Sequence, residues 1–156
     1  MTTRIDLGKV WPAGKAALFA LDALVADSGL DHTLYELIKI RASQLNKCAF
    51  CLDMHTKDAR AAGETEQRIY ALSAWRETPF FSDEERAVLA LTEEITFVAD
   101  GISDSVFDEA ARFFDEETLG KVITAIISIN AWNRLGVTQR RPVGRYQAPV
   151  PAAANN

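Results

Sequence analysis

Residues 33–63, TLYELIKIRASQLNKCAFCLDMHTKDARAAG, have the pattern of two consecutive helices joined by a short turn. A threonine at position 33 followed by Glu36 fits a capping box, which predicts that the first helix begins at the threonine. Asn46 is a favourable break and a suitable N-cap for the next helix. The second helix is therefore predicted over residues 48–62, with the glycine at 63 ending it.

The rest of the chain also favours helices. Residues 7–12 form a lead-in, in which Pro12 is suited to the first position of a helix. Residues 122–129 are β-branched, but they lie inside a long segment without a partner strand, so we interpret them as a buried helix. The further predicted helices cover residues 16–26, 66–75, 82–101, 105–114 and 116–135, the last closed by Gly136.

These patterns predict one all-α domain of about six to seven helices with no sheet. The domain is expected to span residues 1–141. Residues 142–156 are proline-rich and end in Ala-Ala-Ala-Asn-Asn, which predicts an extended or disordered C-terminal tail.

Composition excludes several classes of protein. The 156 residues carry a formal net charge of −5, so there is no basic excess that would favour binding to nucleic acid. No stretch approaches the roughly 18 apolar residues of a membrane span, and the N-terminus does not resemble a signal peptide. We therefore expect a cytoplasmic protein with no membrane or nucleic-acid partner and no bound cofactor or metal.

The chain contains only two cysteines, and they lie close together as Cys48-Ala-Phe-Cys51. With His55 they occupy positions i, i+3 and i+7, which places all three on one face of the predicted helix. Such a pair can reduce a hydroperoxide, because one thiol is oxidised to a sulfenic acid and the other then forms the disulfide. The helix dipole favours Cys48 as the more acidic thiol, whereas His55 as a base favours Cys51.

Glu36, the C-x-x-C pair and His55 together resemble the active-site motif of the AhpD-like alkylhydroperoxidases, in the carboxymuconolactone decarboxylase superfamily. Residues 40–44, 53–56, 61–63 and 130–134 are similar to members of that family too. The resemblance implies an all-helical protein that assembles as a trimer or hexamer. It also implies reduction of organic hydroperoxides or hydrogen peroxide, with the disulfide reduced again by an external dithiol such as protein-bound lipoamide.

By this resemblance Cys51 is the peroxidatic cysteine, Cys48 resolves the sulfenic acid, and His55 and Glu36 form a proton relay. Two departures matter. The best-understood members have a histidine between the cysteines, where this chain has Phe50. The decarboxylase branch of the superfamily lacks the paired cysteines, so decarboxylase activity is not expected here.

Other interpretations stay open at the level of sequence. The disulfide could act as a redox sensor that switches assembly without catalysis, or the cysteines could be small apolar core residues. A zinc site would use both cysteines and His55, with His32 or Glu36 as a further ligand, although no second ligand pair exists. Glu36 could simply complete the capping box. The aromatic residues are expected in the core or an interface, with Trp132 the one that could pack near the site.

Overall fold

The computed structural model describes residues 2–149 and contains eight α-helices and no strand within that range. The expected all-α class is confirmed, but the helix count is above the predicted six to seven. Two short 3-10 helices, Leu72–Glu77 and Val98–Asp100, interrupt the connections. The α-helices are α1 (Leu7–Val10), α2 (Pro12–Ala26), α3 (His32–Leu45), α4 (Ala49–Ala61), α5 (Glu66–Ala71), α6 (Asp83–Thr96), α7 (Asp104–Ala111) and α8 (Glu116–Gln139).

The additional helix is α1, which the sequence pattern presents only as a lead-in. The side chain of Asp6 caps it by accepting a hydrogen bond from the backbone N–H of Gly8 at 3.0 Å. Pro12 then occupies the first turn of α2, as predicted, because a proline there lacks only an N–H that would have no partner in the helix.

Helix α3 is the centre of the fold and packs against α4, α6 and α8. Every side chain from residue 34 to residue 40 is buried, including Glu36 and Lys39. The predicted cap at Thr33 is wrong: the cap lies two residues earlier, at Asp31, whose carboxylate accepts a hydrogen bond from the N–H of Leu34 at 2.9 Å. Glu36 therefore does not cap the helix, and its carboxylate contacts His55 of α4 instead.

Helix α8 is the longest element and continues through the position where the sequence predicted its end. Gly136 lies inside the helix, and the chain leaves it at Arg140, whose φ of 54° is left-handed. The β-branched residues 122–129 are helical, as predicted, and most of their side chains are buried against the other helices. Close approach of another element explains a glycine within this helix better than helix termination does.

Two hydrophobic clusters meet at α3. The larger cluster joins α2, α3, α6 and α8 and includes both cysteines, whereas the smaller one lies between α3, α4 and the Trp75 region. Helix α4 thus lies between α3 and α8, which fixes the face that carries the cysteines.

Residues 142–149 have no helix or strand and lie along the outer side of α4. The Gly144 N–H donates to Asp53 at 3.1 Å, and the Tyr146 hydroxyl donates to Asp58 at 2.6 Å. Residue 1 and residues 150–156 fall outside the described part, so the predicted C-terminal tail is described only in its first eight residues.

Among the described residues, no helix combines the length and the apolar character needed to cross a bilayer.

Candidate active site

Cys48 and Cys51 are joined by a disulfide at the start of α4, with their Cα atoms 5.4 Å apart. Cys48 is the N-cap residue of this helix, and Cys51 lies in its first turn. Both are almost completely buried, at 1% and 3% exposure. The pair is therefore a packed part of the molecule, and only an opening beside it gives a small molecule access.

The turn that presents the cysteines depends on Lys47, whose φ of 55° is left-handed. It allows the Cys48 N–H to donate back to the carbonyl of Ser43 at 3.0 Å. Asn46, just before this turn, donates through Nδ2 to the side-chain oxygens of Asn130 at 2.9 Å and Asn133 at 3.0 Å. A buried amide cluster on α8 therefore holds the turn in place, since each of these groups would be costly to leave without a partner.

Glu36 of α3 and His55 of α4 form a buried pair. The His55 Nδ1 lies 3.0 Å from Oε2 of Glu36, and the two residues are 4% and 5% exposed. A carboxylate can only accept at this contact, so Nδ1 of His55 is the donor. The contact orients the imidazole ring and directs Nε2 away from Glu36.

A cavity of about 110 Å³ opens beside the disulfide. Cys51 and His55 both line it, whereas Cys48 does not. Most of its wall is apolar and comes from α2, α4 and α8. The remaining lining residues are Phe19, Asp22, Phe50, Met54, Trp132, Leu135, Gly136, Gln139 and Arg141.

Asp22 is the acidic group of the cavity wall, and it belongs to a partly buried network. Its Oδ1 accepts hydrogen bonds from Tyr35 at 3.1 Å, Lys39 at 3.0 Å and Ser128 at 3.1 Å. Burial and the neighbouring Asp22 carboxylate raise the pKa of Tyr35 far above its usual value, which keeps its hydroxyl protonated as a donor. The network therefore ties α2 to α3 and α8 at the edge of the cavity.

The structure brings together the four residues that the sequence singled out: Glu36 contacts His55, and His55 shares a cavity with Cys51, which is bonded to Cys48. Trp132 lines the same cavity, packing edge-on against Phe19 with ring centroids 4.8 Å apart. His32 is exposed at the start of α3 and is not among the lining residues of the cavity.

Sequence reasoning missed the parts of the wall that come from elsewhere in the chain. Phe19 and Asp22 lie on α2, and Gln139 and Arg141 lie at the end of α8 and just after it. No spacing rule relates these positions to the C-x-x-C motif. Gly136 was a possible signal, because a glycine within a helical run often marks a close contact.

The zinc site considered from the sequence can be compared with the ligand-type groups that the structure brings together. A zinc site of the proposed kind needs two thiolates, and in this structure the two sulfurs are bonded to each other. The ligand-type atoms that do converge, within 4.8 Å, belong to Glu36, His55 and Asp58. Each of them already has a protein partner: Glu36 and His55 bind each other, and Asp58 accepts from Tyr146.

Comparison with known proteins gives a family match and similar structures. The family model of the carboxymuconolactone decarboxylase family matches residues 12–94, which include both cysteines, Glu36 and His55. Uncharacterized protein YdfG of Bacillus subtilis is 42% identical over 138 residues, covering 88% of this chain and 94% of its own length.

Two solved structures extend the comparison. A protein of unknown function from Agrobacterium tumefaciens, whose description suggests an antioxidant defence protein AhpD, is 40% identical with a TM-score of 0.90, covering 93% of this chain and 100% of that one. An uncharacterized peroxidase-related protein from Ralstonia eutropha JMP134, described as an alkylhydroperoxidase AhpD core, is 20% identical with a TM-score of 0.77 over 89% and 74% of the two chains. At that identity the likeness concerns the fold alone.

Proposed function

The chain belongs to the carboxymuconolactone decarboxylase family, and from that premise we propose that it is a thiol-dependent peroxidase of the alkylhydroperoxidase type. The observation that carries the proposal is that Cys51 and His55 line one cavity, with Glu36 hydrogen-bonded behind His55. A thiol, a base and a group that orients the base are the parts that nucleophilic thiol chemistry requires. The paired cysteines also separate this chain from the decarboxylase branch of the family.

The reaction begins with the dithiol form. His55 accepts the proton of the Cys51 thiol, and the thiolate attacks the outer oxygen of a hydroperoxide ROOH. The O–O bond breaks, Cys51 becomes a sulfenic acid, and the proton returns to the leaving oxygen to give ROH. The Cys48 thiol then attacks the Cys51 sulfur, which forms the disulfide and releases water. Two electrons pass from the two thiols to one peroxide.

The assignment of Cys51 as the peroxidatic cysteine and Cys48 as the resolving one is supported by access. Cys51 contributes to the cavity wall and Cys48 does not, so a peroxide in the cavity meets the Cys51 sulfur. His55 lies one helical turn after Cys51 on the same face of α4. The N-cap position of Cys48 favours its ionisation, which suits a resolving thiol that must also attack as a thiolate.

The test follows free thiol in reduced protein mixed with cumene hydroperoxide. Wild-type protein should lose both thiols. Cys48→Ser should lose its single thiol and gain the mass of one oxygen atom, because no resolving thiol remains. Cys51→Ser should keep its thiol. If the two variants behave the other way round, the roles are reversed, and if both thiols persist in folded wild-type protein, the peroxidase proposal is wrong.

A redox sensor is the second candidate, and Phe50 is the observation that favours it. A phenylalanine between the cysteines cannot carry a proton, so this site holds one relay histidine, His55, where the best-understood relatives have two. A sensor would be oxidised once and change its assembly. Multiple turnovers with an added dithiol such as dihydrolipoamide would exclude this candidate, and a single oxidation with a change of oligomeric mass would replace the peroxidase proposal.

The proposal includes a dithiol reductant of the lipoamide type and assembly into a trimer or hexamer. Helix α2 and the residue before it carry large exposed apolar side chains, among them Trp11 at 63%, Phe19 at 52% and Leu24 at 69% exposure. Such side chains are typical of surfaces that another subunit covers. Light scattering should give three or six times the 17.2 kDa chain mass, and a monomer at micromolar concentration would contradict this part.

A further inference from the structure

Asp22 and Arg141, the acidic and the basic side chain of the cavity wall, differ in whether they have a partner of opposite charge. Asp22 has a partner, because its carboxylate forms an ion pair with the buried Lys39 at 3.0 Å and accepts two further hydrogen bonds. Arg141, the basic group of the same wall, has no such partner: no carboxylate among residues 2–149 forms an ion pair with it. The cavity therefore carries one uncompensated guanidinium.

Arg141 is held at the mouth of the cavity by the way α8 ends. Arg140 takes the left-handed conformation after the last helical turn, and the Arg141 N–H donates to the carbonyl of Gly136 at 3.2 Å. The guanidinium then lies over the ring of Phe50, with its central carbon 3.9 Å from the ring centroid. This stacking leaves the N–H groups at the edge of the guanidinium free to bind an anion.

Most of the remaining wall is apolar, and its other polar side chains are Asp22, His55 and Gln139. Phe19, Phe50, Met54, Trp132 and Leu135 surround the space between Arg141 and Cys51. A molecule that suits this cavity has an apolar body and one anionic end. The planar fork of an arginine matches a carboxylate by two parallel hydrogen bonds, which adds geometric selectivity to the charge.

We infer that the cavity takes hydroperoxides that carry a carboxylate on an apolar body, with the carboxylate on Arg141 and the peroxide directed at Cys51. The inference rests on the proposed peroxidase function and narrows its substrate class. Phe50 stands between the cysteines, where the best-understood relatives have a relay histidine. The same residue supports Arg141, because the guanidinium stacks over its ring.

The experiment compares three substrates with one body: cumene hydroperoxide, its para-carboxylate and the methyl ester of that acid. For wild-type protein with a dithiol reductant, kcat/KM for the acid should exceed that for the ester by about tenfold, the value of one charge-assisted hydrogen-bond contact. Arg141→Gln should remove this preference and Arg141→Lys should retain part of it. Arg145→Gln, an exposed arginine outside the cavity wall, is the matched control and should keep the full preference.

A binding measurement on the oxidised protein separates recognition from catalysis. By calorimetry, 4-isopropylbenzoate should bind wild-type protein and the Arg145→Gln control at least about tenfold more tightly than its methyl ester does, and Arg141→Gln should abolish the difference. Raised salt should weaken binding of the acid alone.

The possible results test the peroxidase function and the carboxylate site separately. If wild-type protein consumes none of the hydroperoxides, the peroxidase function is wrong, while the carboxylate site is still tested by calorimetry. If acid and ester react and bind equally, the recognition site is wrong and the peroxidase stands. If the preference survives in folded Arg141→Gln protein, Arg141 is not the recognition group and the inference is overturned.

Discussion

Glu36 illustrates how one side chain acquires a role that its local sequence does not assign. A glutamate three residues after a threonine has the spacing of a cap, yet α3 begins at an earlier residue and Asp31 provides the cap. Glu36 is instead 5% exposed and lies 3.0 Å from His55. A buried carboxylate is costly without a partner, so the pair with His55 is also what permits its burial.

Replacing Glu36 with Gln should slow peroxide-driven thiol loss by roughly 100-fold, the lower end of what a positioned acid or base contributes. The amide preserves the size of the side chain but replaces the carboxylate that accepts from His55 Nδ1 with a neutral group. The rate would be followed by loss of free thiol. Glu116→Gln, at the exposed start of α8, is the control and should react like wild type; an unchanged rate in Glu36→Gln would leave Glu36 with a packing role only.

Asp22 allows a second prediction at the residue scale, because its carboxylate is the ion-pair partner of the buried Lys39 ammonium. The Lys39 side chain is 5% exposed and its ammonium lies 3.0 Å from the Asp22 carboxylate. Asp22→Asn should lower the free energy of unfolding by about 3 kcal/mol, the lower end of the range for removing one partner of a buried pair, since Asp22 itself is 27% exposed.

Urea unfolding of the two proteins measures this difference. The control is Glu117→Gln, which breaks the exposed Lys121–Glu117 pair at 2.8 Å and should change stability by less than about 1 kcal/mol. Equal effects of the two substitutions would mean that Lys39 finds another partner.

Helix α8 acts as the surface against which the disulfide packs. A methyl group added at Gly136 would lie 3.0 Å from the Cys48 sulfur and 3.7 Å from the Cys51 sulfur. At the far end of the same helix, a methyl group on Gly120 would meet nothing within 4 Å. Helix α8 thus contains two glycines, of which only Gly136 is required by contact with another element.

Gly136→Ala should destabilise the protein by about 1–2 kcal/mol, because the cost of overpacking exceeds the gain in helix propensity. Gly120→Ala should stabilise it by about 0.5–1 kcal/mol through that propensity alone. Thermal unfolding of both variants in the oxidised state provides the comparison. A stabilising effect at Gly136 would show that the cysteine turn moves away from α8 at little cost.

At the scale of the whole molecule, Glu93 joins three parts of the chain. It lies on α6 and accepts hydrogen bonds from Arg41 of α3 at 2.8 Å, from Trp75 at 2.7 Å and from Arg76 in the 3-10 helix. Burial by itself would raise the pKa of Glu93, but the bonds from Trp75, Arg76 and Arg41 outweigh it and hold the pKa below its usual value near 4.5.

A lowered pKa in the folded state means that Glu93 stabilises the fold fully above its unfolded pKa and loses this contribution as the pH falls through the folded value. Glu93→Gln should therefore be less stable than wild type at neutral pH. The difference between the two proteins should shrink once the pH falls below about 4.5, as the Glu93 carboxylate takes up a proton in wild type. Urea unfolding across this pH range measures it, and a constant difference would contradict the assignment.

Much of the fold could be predicted because its signals are local. The proline that opens α2 and the apolar periodicity of α3 and α4 depend on neighbours within one or two turns. The choice of Thr33 rather than Asp31 as a cap was a local error, whereas at Gly136 a distant element decides. Gly136 was predicted to end a helix, yet the helix continues past it, and the glycine instead leaves room for the turn that carries Cys48.

The sequence by itself determined the all-helical class, the family and the placing of both cysteines and His55 on one helix face, because each depends on spacing along one segment. Only the tertiary structure decided that Glu36 meets His55 and that Cys51, rather than Cys48, reaches a cavity. It also decided that Arg141 lies over Phe50. The physical reason is that these contacts join separate helices, and their geometry is set by packing in three dimensions rather than by spacing along the chain.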